Sequence, residues 1–137
     1  MTRQKINVND LTAGYKFPEI HFTMDTTRIA KYIDITESTD CIWRQENIVP
    51  PMAIVAFAMA ELSNGISFPD GAIHISQELL FVCQIRNDDI VTFKIEVGRV
   101  LKRSNMKLLT LNLALSNQNN VIAISGQTEF MLPPNII

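Results

Sequence analysis

The sequence predicts an α+β fold in which a single antiparallel sheet wraps a central apolar helix. Three observations carry that expectation. The stretch from Pro51 to Leu62 has the composition of a helix, with no charge before Glu61 and no polar face. After it come β-prone segments in which apolar and polar residues alternate, and turns rich in Asn, Asp and Ser separate them. A helix apolar on every side must be enclosed by other elements. A sheet apolar on one face must cover something, so each element answers the other.

The 137 residues fit one domain. With 47% apolar residues the chain can build a core without disulfides or metal, and disorder is excluded. The formal net charge is −2 and no basic run exists, which argues against nucleic acid or an anionic membrane as a partner. Met1 to Asp10 is polar and lacks the apolar stretch of a signal peptide. The longest apolar run, Ile48 to Ala60, is too short to span a bilayer and has two prolines near its start. Cys41 and Cys83 have no CxxC spacing, and reduced, packed thiols in a cytoplasmic protein are expected over a disulfide or a reactive thiol. Two histidines and two cysteines at wide separations match no metal-ligand spacing, so neither metal nor cofactor is expected.

Taken in order, Ile20 to Met24 reads as a short strand after the breakers Gly14 and Pro18. Asp25, Thr26 and Thr27 then offer N-caps to a helix with Ile29, Tyr32 and Ile33 on one face. Thr36 to Asn47 is polar and aperiodic, hence a loop. Pro51 suits the first turn of the central helix, where its missing N–H is an orphan anyway. Asn64-Gly65 supplies a left-handed stop. From Met52 to Leu62 this helix is expected to be nearly solvent-free.

The second half is strand material. Ile73 to Ile85 is long and β-prone, with an apolar phase shift near Glu78 that implies a bulge. Val91, Phe93, Ile95 and Val97 alternate with Thr92, Lys94 and Glu96, and Leu109, Leu111, Leu113 and Leu115 alternate with Thr110, Asn112, Ala114 and Ser116. Ile122, Ile124, Thr128, Phe130 and Leu132 are assigned to the buried face of the last strand. Turns are expected at Asn87 to Asp89, Arg103 to Asn105 and Asn117 to Asn120.

This order is that of a single hot-dog fold, and a closer likeness runs over roughly Ala13 to Pro133, carried by three segments. Pro69 to Phe81 resembles the strand that follows the central helix in MaoC-like enoyl-thioester hydratases and 3-hydroxyacyl dehydratases. Ile85 to Val91 resembles that family's P-[IV]-x-x-G-D-x-[LIV] turn, with Asn87-Asp88 where Gly-Asp is usual. Val49-Pro-Pro-Met52 is similar to the helix start of the non-catalytic N-terminal halves of double hot-dog hydratases, where catalytic members have His-Gly-Met.

The resemblance implies a substrate, acyl-CoA or an acyl-ACP thioester, and a chemistry. In the family an Asp and a His in a Gly-Asp-x-Asn-Pro-[LIV]-His loop activate water as general base and acid. The corresponding residues here are Glu37 to Trp43, which put Ser38 at the Asp position, Asp40 at the Asn position and Trp43 at the His position. A lone serine is no base at neutral pH, and an indole N–H only donates. The oxyanion donor expected at the start of the central helix is also altered, since Pro50 and Pro51 have no N–H, leaving Met52 or Ala53.

These substitutions imply an acyl-thioester-binding subunit without catalysis of its own, with Trp43, Met52, Ala53 and Phe57 as candidate substrate-binding residues. It would be paired with itself or with a catalytic hot-dog chain of like size. The enzymatic alternative is a hydratase, dehydratase or thioesterase using displaced residues, for which Asp40, His74 and Glu61 are the candidates. A non-enzymatic acyl-thioester-binding module is the third reading.

Overall fold

The computed structural model describes residues 4–36, 43 and 46–134. The chain opens with a two-residue strand β1 (Ile6–Asn7) and a 3-10 turn (Val8–Asp10), followed by β2 (Ile20–Thr23) and α1 (Thr26–Ile35). The central helix α2 (Pro51–Gly65) runs into β3 (Ile66–Ser67). Four strands then follow: β4 (Ile73–Phe81), β5 (Ile90–Arg103), β6 (Met106–Ser116) and β7 (Ile122–Leu132). β1 and β3 form a small parallel pair, while the main sheet is antiparallel in the order β2-β5-β6-β7-β4.

The alternation seen in the sequence sets the inner face. Val91, Phe93, Ile95 and Val97 of β5, Leu109 to Leu115 at every second position of β6, and Ile124, Thr128, Phe130 and Leu132 of β7 are buried. They form one core with Ala53, Ile54, Val55, Ala58 and Leu62 of α2. This is the expected hot-dog arrangement. Asp25 caps α1 through its carboxylate, which accepts from the Arg28 N–H at 2.8 Å. All three expected turns contain a residue in the left-handed region: Asp88, Ser104 and Asn120.

Four expectations are corrected. The β4 bulge lies between His74 and Ser76, not near Glu78, and the strand ends at Phe81. Ile122 is exposed, because the β6–β7 register shifts at Ser116 and moves the buried set to Ala123 and Ile124. α2 ends without a left-handed residue: Gly65 keeps a negative φ and Ile66 continues directly as extended chain.

The fourth correction matters most for function. α2 is not enclosed on all sides, since Met52, Ala56 and Ala60 form an exposed row four residues apart. One five-stranded sheet covers one side of a helix. The apolar surface on its other side is left over.

The two edges of the sheet differ. β4 pairs only with β7, and its Ile73, Ile75, Leu80 and Phe81, with the adjoining Val82, are each between 40% and 63% exposed. The opposite edge is β2, prolonged by residues 14–17. There the Gly14 and Phe17 N–H groups donate to the Val97 and Ile95 carbonyls, and the Val97 N–H donates to the Tyr15 carbonyl. Pro18 interrupts that edge, and Lys16, Glu19, His21 and Thr23 are exposed along it.

Candidate functional site

A mostly apolar hollow lies at the N-terminal end of α2, with a volume of about 650 Å³. One wall is α1, through Tyr32, Ile33 and Thr36. Tyr32 and Thr36 are one helical turn apart, which places them on the same face. Trp43 forms a second wall and is half-buried against the core. The first turn of α2 (Pro50, Pro51 and Met52) and Phe81 at the end of β4 complete the described lining.

A smaller hollow of about 180 Å³ sits on the other side of Pro51. It shares Phe81 and includes Val82, Cys83 and Ile85. Cys83 is a free, exposed thiol.

The first turn of α2 has an unusual donor inventory. Pro50 occupies the cap position without a side-chain cap bond, and Pro51 is the first helical residue. Neither has an N–H. The Ala53 N–H donates to the Pro50 carbonyl at 2.9 Å. Of the two donors expected from the sequence, the Met52 N–H is therefore the one without a partner among the described residues. No acidic side chain of this turn offsets the positive end of the helix dipole. Such an end, bordered by apolar walls, suits a polarised carbonyl oxygen.

Of the sequence-derived candidates, Trp43 and Met52 meet at this cavity. Ala53 is fully buried behind it. Phe57 lies further along α2, half-buried beneath the Arg28 guanidinium, which stands 5.5 Å from the ring centroid. Glu61 is in the last turns of α2, away from the cavity wall.

His74 is at the opposite end of the sheet. The register runs from Ile73 through Met131 and Leu108 to Leu101 at that end, and from Phe81 through Ile124 and Leu115 to Phe93 at the cavity end. Ser38 and Asp40 lie outside the described residues, as does Cys41. Tyr32, Thr36 and Phe81 were not singled out as lining residues. The i, i+4 spacing of Tyr32 and Thr36 ahead of the loop is the signal that points to the first two.

Among the described residues, the cavity wall has no carboxylate and no histidine; Tyr32 is its one acid–base side chain. Among them, too, no three His, Cys, Asp or Glu side chains are placed to hold a metal ion. Among the described residues, no helix is long and apolar enough to cross a membrane.

No protein-family model and no curated protein matches the sequence. Solved structures do match. The unliganded (R)-hydratase PhaJ1 from Pseudomonas aeruginosa superposes with a TM-score of 0.77 at 18% identity, covering 93% of this chain and 85% of its own. A MaoC-like dehydratase from Rhodospirillum rubrum gives 0.77 at 15% identity over 95% and 98%. A chain of the ChsH1–ChsH2 complex from Mycobacterium tuberculosis gives 0.71 at 17% over 88% and 98%. What this chain shares with them is the hot-dog fold of MaoC-like dehydratases and (R)-hydratases, over nearly its whole length.

Proposed function

We propose that this chain binds acyl thioesters as a hot-dog subunit of the hydratase/dehydratase type and does not hydrate them alone. The observation that carries this reading is the 650 Å³ cavity at the start of α2, whose described lining is mostly apolar, with Tyr32 and Thr36 as its hydroxyl-bearing side chains and no described carboxylate or histidine. Apolar walls and one convergent donor, the Met52 N–H, suffice to seat an acyl chain and its thioester oxygen. Water addition needs a base and a proton donor in register, each worth roughly 10²–10⁴-fold. Ser38 and Trp43 replace that pair in the motif the loop resembles.

The apolar β4 edge and the exposed row on α2 support a like-sized hot-dog partner, either a second copy or a catalytic chain. The ligand is an acyl-CoA or a carrier-protein thioester, and the place of action is the cytoplasm.

Trp43 is the single tryptophan, so its fluorescence reports directly on the cavity. Adding a butyryl or longer acyl thioester is expected to change that emission, and trans-2-enoyl thioesters are expected to show no hydration by the purified chain. Robust turnover that Asp40→Ala or Glu61→Ala abolishes would overturn the non-catalytic reading. Unchanged Trp43 emission at millimolar ligand would overturn the binding one.

A further inference from the structure

We propose that a hollow beside the β5–β6 hairpin binds a phosphate ester or a diphosphate, at a site separate from the acyl cavity and independent of how that cavity is read.

The chain is acidic overall, with a formal net charge of −2, yet four of its 12 lysines and arginines fall within residues 99–107. They are Arg99, Lys102, Arg103 and Lys107, and no acid stands among them. The register sharpens this concentration, because it sets Lys102 directly opposite Lys107. Like charges placed so weaken a strand pair. Among the described residues none of the four forms an ion pair with a carboxylate. The two lysines therefore cost the hairpin stability without a counter-charge of the chain's own.

Both of them line a hollow of about 270 Å³, together with Ser104 and Asn105 of the turn. No carboxylate is among its described lining residues. Lys107 is half-buried, and its one described bond is to the Asn9 carbonyl, at 3.5 Å. An ammonium has three hydrogens. Two are left over, on a charge already partly withdrawn from water.

The turn adds donors. Ser104 holds φ at 54°, a conformation that glycine adopts at less cost. Serine there supplies a hydroxyl that glycine would not. The N–H groups of Ser104 and Asn105 have no backbone partner among the described residues.

A hollow rich in donors and poor in acceptors selects an anion, and its charge selects which. Residues directly opposite on a hairpin share a face, with stems rooted about 5 Å apart, so both ammonium groups can reach one anionic group. A phosphate ester brings about −1.5 to −2 charges and three acceptor oxygens, enough for both lysines and the turn. A carboxylate, with one charge and two oxygens, leaves the pair half neutralised. Met106, Pro133 and Pro134 form an apolar wall that suits the organic part of an ester. The acyl cavity of the same chain is remote: Phe93 stands at its end of β5, and Lys102 lies roughly 30 Å further along the strand.

Calorimetric titration of the full chain with ADP, pyrophosphate and adenosine at fixed ionic strength tests this, and amide NMR locates the contact. ADP and pyrophosphate are expected to bind and to move the Ser104, Asn105 and Lys107 signals, and adenosine to do neither. Signals that stay still at millimolar ADP overturn the site. Adenosine that binds as well as ADP overturns phosphate as the recognised group. Lys102→Gln and Lys107→Gln are each expected to weaken ADP by about tenfold or more, the loss of one charge-assisted hydrogen bond. Lys94→Gln removes an exposed lysine elsewhere on β5 and is expected to change nothing. Equal losses in all three variants mean general charge attraction, which overturns the site.

Thermal unfolding gives a readout of opposite sign. Because the two lysines repel, Lys102→Gln is expected to raise the midpoint in the absence of anion. It is also expected to abolish the rise that pyrophosphate gives the unmodified chain. A lowered midpoint without anion, or a pyrophosphate rise that survives the substitution, overturns the proposal.

Discussion

Phe93 and Phe57 belong to the same core but stand differently in it. Phe93 is fully buried under the sheet, whereas Phe57 is half-buried and roofed by Arg28. Phe93→Ala is expected to cost about 3–5 kcal/mol, because the cavity left behind has nothing to collapse into it. Phe57→Ala is expected to cost only about 1–3 kcal/mol in the isolated chain, part of it from the lost cation–π contact. Urea unfolding of both variants checks the pair, and equal losses would mean that the outer side of α2 is covered. Thr128→Val keeps the volume and removes the hydroxyl that joins His74 to the Ser76 carbonyl. About 1–2 kcal/mol is expected, together with a broader His74 ring signal in NMR as the imidazole loses its anchor.

At the scale of elements, β4 depends on one glycine of β7. A Cβ at Gly126 would stand 2.1 Å from the Glu78 carbonyl oxygen, and that oxygen is backbone, which cannot swing aside. Gly126→Ala is therefore expected to lift the middle of β4 off the sheet at about 1–3 kcal/mol. Hydrogen exchange should show protection lost at residues 76–80 and kept in β5 and β6; uniform loss would contradict a local effect.

This dependence was not legible in the sequence, because Gly126 sits in an alternating strand like any other residue. What alternation does reveal is the inner face of β5 and β6, where every assigned leucine and β5 residue is buried. It fails at Ile122 and near Glu78, because a bulge inverts the phase and is set by the partner strand's register. At the candidate site, Trp43 and Met52 were legible from a loop motif and a helix start. Phe81 was not, since nothing local in β4 says which end of the sheet meets α2. The all-round apolar character of α2 was read correctly as composition. It overstated enclosure because the sheet covers one side of the helix and leaves Met52, Ala56 and Ala60 exposed on the other.

At the scale of the whole molecule, an apolar helix row and an apolar sheet edge on one chain support the proposed pairing with a partner of like size. Light scattering is expected to give twice the 15.5 kDa chain mass at micromolar concentration. A particle of one chain mass up to millimolar concentration would remove the partner from the proposed function. Glu78→Lys at the polar centre of β4 introduces no apolar change and should leave that mass unaltered, whereas Leu80→Lys should shift it toward one chain.

The other edge of the sheet decides where such assembly stops. β2 is short, Pro18 interrupts the edge it shares with residues 14–17, and the exposed residues there are Lys16, Glu19, His21 and Thr23. A chain with two sticky edges would polymerise without limit into a fibre. With one edge sticky and the other blunted, growth terminates after a single addition, and raising the concentration fills pairs without lengthening anything.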